Sequence, residues 1–188
     1  PPTPGFKGML NHELDIDEYL LLTDFGFPAF AHAQCRLMQE MHARGIRIVQ
    51  IEPFLQELIR IHEFFASGGR PSEIPEGTQT RQVYDLERAW TKKLIAFYRQ
   101  AHTPEFDRTV AAVKEFARVD ALKGRMRDEM RAAALKKLFA KHHSLYIEAG
   151  YIHFVLLQKL REILPCSAQL SLFYSQEEYF RPRIGRRQ

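Results

Sequence analysis

The chain has 188 residues and a mass of 22.0 kDa, with 45% hydrophobic and 27% charged residues, 10 glycines and 10 prolines. These proportions describe one ordinary globular domain and exclude a disordered or fibrous chain. The longest apolar runs fall well short of the ~18 residues that a membrane span requires. Lys plus Arg number 27 against 23 Asp plus Glu, for a net charge of +4, and four arginines between Arg181 and Gln188 account for that excess. A near-neutral body with a basic tail over 181–188 speaks against a nucleic-acid-binding face.

Residues 1–15 are rich in Pro, Gly and Asn and read as an irregular lead-in, with the first helix starting near Asp15 or Asp17. The lead-in has no charged and apolar leader pattern and no initiator Met, so a strand upstream of residue 1 is expected to be missing. Phe30, Ala31, Gln34, Leu37, Met38 and Met41 recur at helical spacing, and Gly45 is a natural terminator. The β-branched run Ile46 to Glu52 predicts a strand that stops at Pro53. A helix follows, with Leu55, Leu58, Ile59, His62 and Phe65 on one face and Gly68-Gly69 as its end. His62 is then expected to be a hydrogen-bonded core histidine, and residues 67–80 a loop.

Arg81 to His102 carries Val83, Leu86, Trp90, Leu94, Phe97 and Tyr98 as an apolar stripe. Thr103-Pro104 reads as N-cap and N1 of a further helix through Ala117. Ala121 to Lys141 predicts a separate basic helix that keeps Arg125, Arg127 and Arg131 among its polar positions. Ser144 to Gly150 predicts a second strand, Ile152 to Leu164 a helix ended by Pro165, and Gln169 to Tyr174 a third strand. The whole is expected to be a single helix-rich α/β domain, 1–188. Its small parallel sheet would be joined by right-handed crossovers, with a long helical insertion at about 54–141 between the first two strands.

Ligands in open parallel sheets bind beyond the carboxyl ends of strands. Glu52 and Glu148 stand at two such ends, and His153 opens the next helix. Two carboxylates and an imidazole suit a divalent metal or general acid–base work. Without chemistry there, Glu52 and Glu148 would cap nearby backbone N–H groups and His153 would N-cap its helix. Cys35 and Cys166 lack any zinc or CxxC spacing, which fits buried free thiols in a reducing, cytoplasmic setting. HExxH, GxSxG and a complete P-loop are absent.

The stretch Arg127-Asp128-Glu129-Met130-Arg131, the strand to Glu148, and Gly150-Tyr151-Ile152-His153 before a leucine-rich helix resemble the second half of the TraB, Tiki and ChaN-like superfamily, related to the erythromycin esterases. That pattern is an Arg-Asn/Asp helix, a strand and a GxxH motif, and the 48–52 strand also looks like the superfamily's glutamate-ended strand. The resemblance covers about residues 46–53 and 122–164. It implies a strand-end site that takes in Glu52, Arg127 and His153, in a superfamily containing metal-dependent peptidases, esterases and haem-binding proteins. An earlier GxxH, present in those enzymes, has no counterpart in residues 1–45, where His12 and His32 lack the preceding glycine.

Two functions follow as expectations. The first is a metal-assisted hydrolase, with Glu52, Glu148 and His153 holding a divalent ion and Arg127 stabilising an oxyanion. The second is a non-catalytic domain of the same fold that binds a small anion or a haem-like ligand, or that self-associates.

Overall fold

The computed structural model describes residues 5–23, 27–150 and 153–173. Its regular elements are helices: α1 (Phe6–Leu10), α2 (Ile16–Leu21), α3 (Pro28–Ala43), α4 (Pro53–Ala66), α5 (Gln79–Ala101), α6 (Phe106–Phe139) and α7 (Phe154–Ile163), with a single 3-10 turn at Pro71–Glu73. Among the described residues there is no strand and no sheet. The expected α/β architecture is thereby overturned, and the stretch 54–141 is the bulk of a helical body rather than an insertion into a sheet. No helix among these residues is long and apolar enough to cross a membrane.

The helix boundaries follow from local chemistry. The Asp15 carboxylate accepts from the Asp17 N–H at 2.8 Å and starts α2, and the Thr78 hydroxyl accepts from the Arg81 N–H at 3.1 Å and starts α5. Helix α3 ends in a Schellman turn, in which Gly45 at φ 80° donates to His42 O at 2.9 Å and Ile46 donates to Met41 O at 3.1 Å. Helix α4 repeats the device, with Gly68 at φ 93° donating to Phe65 O and Gly69 to Phe64 O, both at 3.0 Å. A left-handed φ at each stop suits glycine because a Cβ would crowd the following carbonyl.

Elsewhere the structure departs from the spacing. The two helices expected over 104–117 and 121–141 are one 34-residue rod, α6, because nothing between Phe106 and Phe139 breaks a helix except Gly124, whose cost is only ~1 kcal/mol. Thr103 does not cap it, since its hydroxyl turns back to Gln100 O at 2.9 Å. Helix α3 is rotated from its expected face: Ala31, Cys35 and Gln39 are buried, while Phe30 and Leu37 are exposed. Gln39 is inside because its amide donates to Met9 O at 2.7 Å and so joins α3 to α1.

Three apolar clusters hold the helices together. Phe6, Met9, Leu10, Ile16, Tyr19 and Cys35 join α1, α2 and α3. Phe54, Ile61, Val83, Tyr84 and Met130 join α4, α5 and α6, with Ile74 from the intervening loop. Ala132, Leu135, Leu156 and Leu160 join α6 to α7. Helices α5 and α6 form an antiparallel hairpin whose partners run in opposite chain directions. Glu87 pairs with Lys123 at 2.7 Å, the Trp90 indole N–H donates to Asp120 at 2.7 Å, and Lys93 pairs with Glu115 at 3.2 Å. The ammonium of Lys123 also lies 3.8 Å from the Trp90 ring centroid, so one half-buried cation is held by a carboxylate and an aromatic face.

The segments expected as strands, 46–52, 144–149 and 169–174, are irregular within the described residues. They nevertheless converge, for Ile51, Ile147 and Leu170 all pack on the α6/α7 cluster. Local pattern placed these apolar side chains inward, but a strand also needs a neighbouring strand in register, and a run of β-branched residues does not supply one. Tyr174 lies outside the described residues, as do the basic tail 181–188 and residues 1–4.

The expectation of two buried thiols holds for Cys35 and fails for Cys166, which is exposed. Burial pushes the Cys35 thiol up from its ordinary value and keeps it protonated. One equivalent of thiol, Cys166, will therefore react with Ellman's reagent in the native protein at about pH 8, and the second will appear only in denaturant. Two glycine substitutions are expected to act with opposite sign. Gly45→Ala will lower stability by about 1 kcal/mol because of its positive φ, whereas Gly124→Ala will raise it by ~0.5 to 1 kcal/mol, since a Cβ there meets open space. Urea midpoints of the two variants check both signs.

Candidate functional site

Helix α6 carries Arg127, Asp128 and Arg131, and an i, i+4 spacing, about one turn of a 3.6-residue helix, sets the two arginines on adjoining positions of one face. Asp128 is almost wholly buried, which for a carboxylate requires that its lone pairs be filled. Its Oδ1 accepts from His153 Nδ1 at 2.7 Å and from Arg131 Nη1 at 3.3 Å, and its Oδ2 accepts from the Leu156 N–H at 3.1 Å. Leu156 is the third residue of α7, so Asp128 performs the N-cap function for a helix to which it does not belong. His153 occupies the N-cap position itself and makes no side-chain cap bond. Arg131 Nη1 lies 2.9 Å from His153 Nδ1 and 3.2 Å from its Nε2, so the imidazole is held between Asp128 and Arg131.

Glu52 completes the cluster from the start of α4. Its side chain does not cap α4. It accepts instead from Arg127, with Nη2 to Oε2 at 2.9 Å and Nε to Oε1 at 3.4 Å, and from Arg131 Nη2. Two carboxylates thus face two guanidinium groups, and the fixed charges cancel. Side-chain exposure falls from 37% at Arg127 to 14% at Arg131 and 2% at Asp128, so the cluster runs from the surface inward and is most desolvated where its bonds are most numerous. Charge-assisted bonds of this kind are about twice as strong as neutral ones.

The structure therefore brings together Glu52, Arg127 and His153, as the sequence led one to expect, but in other roles. The Arg127 guanidinium is spent on Glu52, and His153 on Asp128 and Arg131. Glu148 is elsewhere bonded, accepting from Gln34 Nε2 at 3.0 Å. Among the described residues no group of three or more His, Cys, Asp or Glu is placed to hold a metal ion. The expected metal trio of Glu52, Glu148 and His153 is corrected accordingly: each carboxylate is drawn off by a donor that the sequence did not pair with it. The residues that sequence reasoning missed are Asp128 and Arg131. The signal for them was present, since Asp128 and Arg131 flank Met130 and adjoin Ala132 on an otherwise apolar surface, where a charge is kept only if it is paired.

A cavity lined by other residues lies apart from this cluster. It is a groove of about 730 Å³ between α4 and α5, lined by Leu58, Ile61, His62, Phe65, Tyr84 and the outer face of α5 from Arg88 to Arg99. His62, expected in the core, is exposed on its edge.

An uncharacterised protein of Archaeoglobus fulgidus is similar to this chain, 29% identical over 164 residues that cover 87% of the chain and 53% of that protein. The chain thus spans about half the length of the relative it matches. No protein-family profile matches it, and no solved structure does.

Removal of Asp128 takes the partner from the Leu156 N–H at the start of α7, and takes from His153 and Arg131 the one carboxylate they share. Asp128→Ala is expected to destabilise the fold by about 3 to 5 kcal/mol, as for other broken buried ion pairs. Arg127→Ala will cost less than about 1 kcal/mol, because that guanidinium is partly exposed and Arg131 remains on Glu52. Chemical denaturation of the two variants checks the ratio, and equal losses would contradict the inward gradient of the cluster.

Proposed function

We propose that this chain is a non-catalytic assembly domain, a helical body fixed by the Asp128 cluster that self-associates through the apolar face built from segments 46–52, 144–150 and 168–173. The observation that carries this reading is the convergence of Ile51, Ile147 and Leu170 on one cluster while neighbouring large side chains point outward. Tyr146 is 83% exposed and Phe173 86%, with Val49, Leu172 and Phe154 also exposed. Large apolar side chains left exposed on segments that share one cluster are what an interaction surface would present.

The Glu52, Arg127, Asp128, Arg131 and His153 side chains fit the proposal as structural groups, because each is occupied by another member of the set and the groove between α4 and α5 does not include them.

A second copy is the expected occupant, since one apolar patch facing its own image gives a closed, isologous contact. Sedimentation equilibrium of the full chain is expected to give a dimer that dissociates in the micromolar range. The triple variant Val49→Asp, Tyr146→Asp, Phe173→Asp is expected to be monomeric with an unchanged helical circular dichroism spectrum. A wild-type chain that stays monomeric to about 100 μM, weaker than any functional contact of that area, would overturn the proposal.

A further inference from the structure

We infer that the groove between α4 and α5 receives an acidic amphipathic helix of a partner protein. Its two walls are helical stripes. From α4 come Leu58, Ile61, His62 and Phe65, at the spacing i, i+3, i+4, i+7, and from α5 come Arg88, Lys92, Ile95 and Arg99, at i, i+4, i+7, i+11. Two helix stripes meeting over an apolar floor leave the seat that a third helix fills in a bundle. The floor is made by buried Ile61 and Tyr84 with Leu58 and Phe65, and Ala89 and Ala96 on α5 keep it wide.

Charge identifies the occupant. On the inner face of α5 each charge is matched, with Glu87 held by Lys123 and Lys93 by Glu115. On the groove face the cations are not matched. Arg88 donates only to the Tyr84 hydroxyl, at 3.0 Å, and lies over the Tyr84 ring, while among the described residues Lys92 and Arg99 have no ion-pair or hydrogen-bond partner. The one carboxylate in the lining, Glu87, is already neutralised from behind. Arg88 and Arg99 are eleven residues apart, which at 1.5 Å per residue is ~16 Å along the groove. A small carboxylate would meet one of these cations. A helix with carboxylates on successive turns meets all three while its apolar side covers Ile95, Leu58 and Phe65. The contact is separate from the self-associating face, and its success or failure is read independently of it.

The test uses the full chain and a fluorescein-labelled, capped helical peptide of about 18 residues, with leucines along one stripe, glutamates flanking it and alanines elsewhere. Fluorescence anisotropy is expected to show saturable binding that weakens with salt. Lys92→Glu with Arg99→Glu, two exposed and unpaired positions, is expected to weaken it at least tenfold without loss of helicity, and a peptide with lysines in place of the glutamates is expected to prefer that variant over the wild type. Equal affinity for both proteins, or equal binding of a scrambled peptide of the same composition, would overturn the inference. So would displacement of a bound fluorescent probe by sodium laurate when the peptide itself does not bind, an outcome that would make the groove a site for a small acyl anion.

Discussion

A carboxylate with almost no contact with water is stable as an anion only when donors surround it, and Asp128 has its donors from three directions. Arg131 comes from its own helix, His153 from the residue before α7, and the Leu156 N–H from the first turn of α7. Arg131 then carries the connection to Glu52 at the head of α4. One buried charge thereby sets where α4 and α7 begin relative to the long rod of α6. The adjacent apolar clusters are built on the same turns of α6, through Met130, Ala132 and Leu135. Buried ionic groups seldom add net stability over apolar ones of the same shape, whereas an unpaired member is costly. The cluster is best understood as a constraint that selects one arrangement among the several that amphipathic helices would accept.

The α5/α6 hairpin works differently. Its ion pairs are partly exposed and individually weak, and its strength lies in apolar contact along two long helices, with Trp90, Phe97 and Phe116 between them. That division leaves the outer face of α5 free of structural duty. Its cations therefore need no partner within the chain, and the groove beside α4 is a surface whose charge is not consumed by the fold. Segments 46–52, 144–150 and 168–173 have some apolar side chains packed inside and others exposed. They share no residue with the lining of the groove.

The candidate site was half legible from sequence. Glu52 and His153 were expected together from their places at element ends, Arg127 was added by the family resemblance, and the three are found in one cluster. Their roles were not legible. The spacing of α6 puts Arg127 and Arg131 among polar positions, and nothing local says that a polar stripe will be covered by the beginning of another helix. Glu148 shows the converse, a carboxylate expected to join the cluster and held instead by Gln34, 114 positions away. His62 was read into the core from its apolar neighbours, yet a residue at the border of a stripe can fall on either side, and here it edges the groove.

What the sequence determined by itself is a few helix ends, those at Asp15, Gly45 and Gly68, whereas α1 lies in a stretch read as irregular and α5 begins inside an expected loop. A helix is closed by bonds between residues four apart, its first turn is satisfied by one oxygen such as that of Asp15 or Thr78, and its end by the left-handed glycines Gly45 and Gly68. All of that information lies within a few residues. The tertiary structure decided the rest: that the β-branched segments find no pairing partner among the described residues, that α6 runs unbroken, and that Asp128 and Arg131 turn inward. Strand pairing and buried charge both depend on groups distant in the chain, 75 positions between Glu52 and Arg127 and 25 between Asp128 and His153. Local periodicity carries no record of such distances, and only the packed chain settles them.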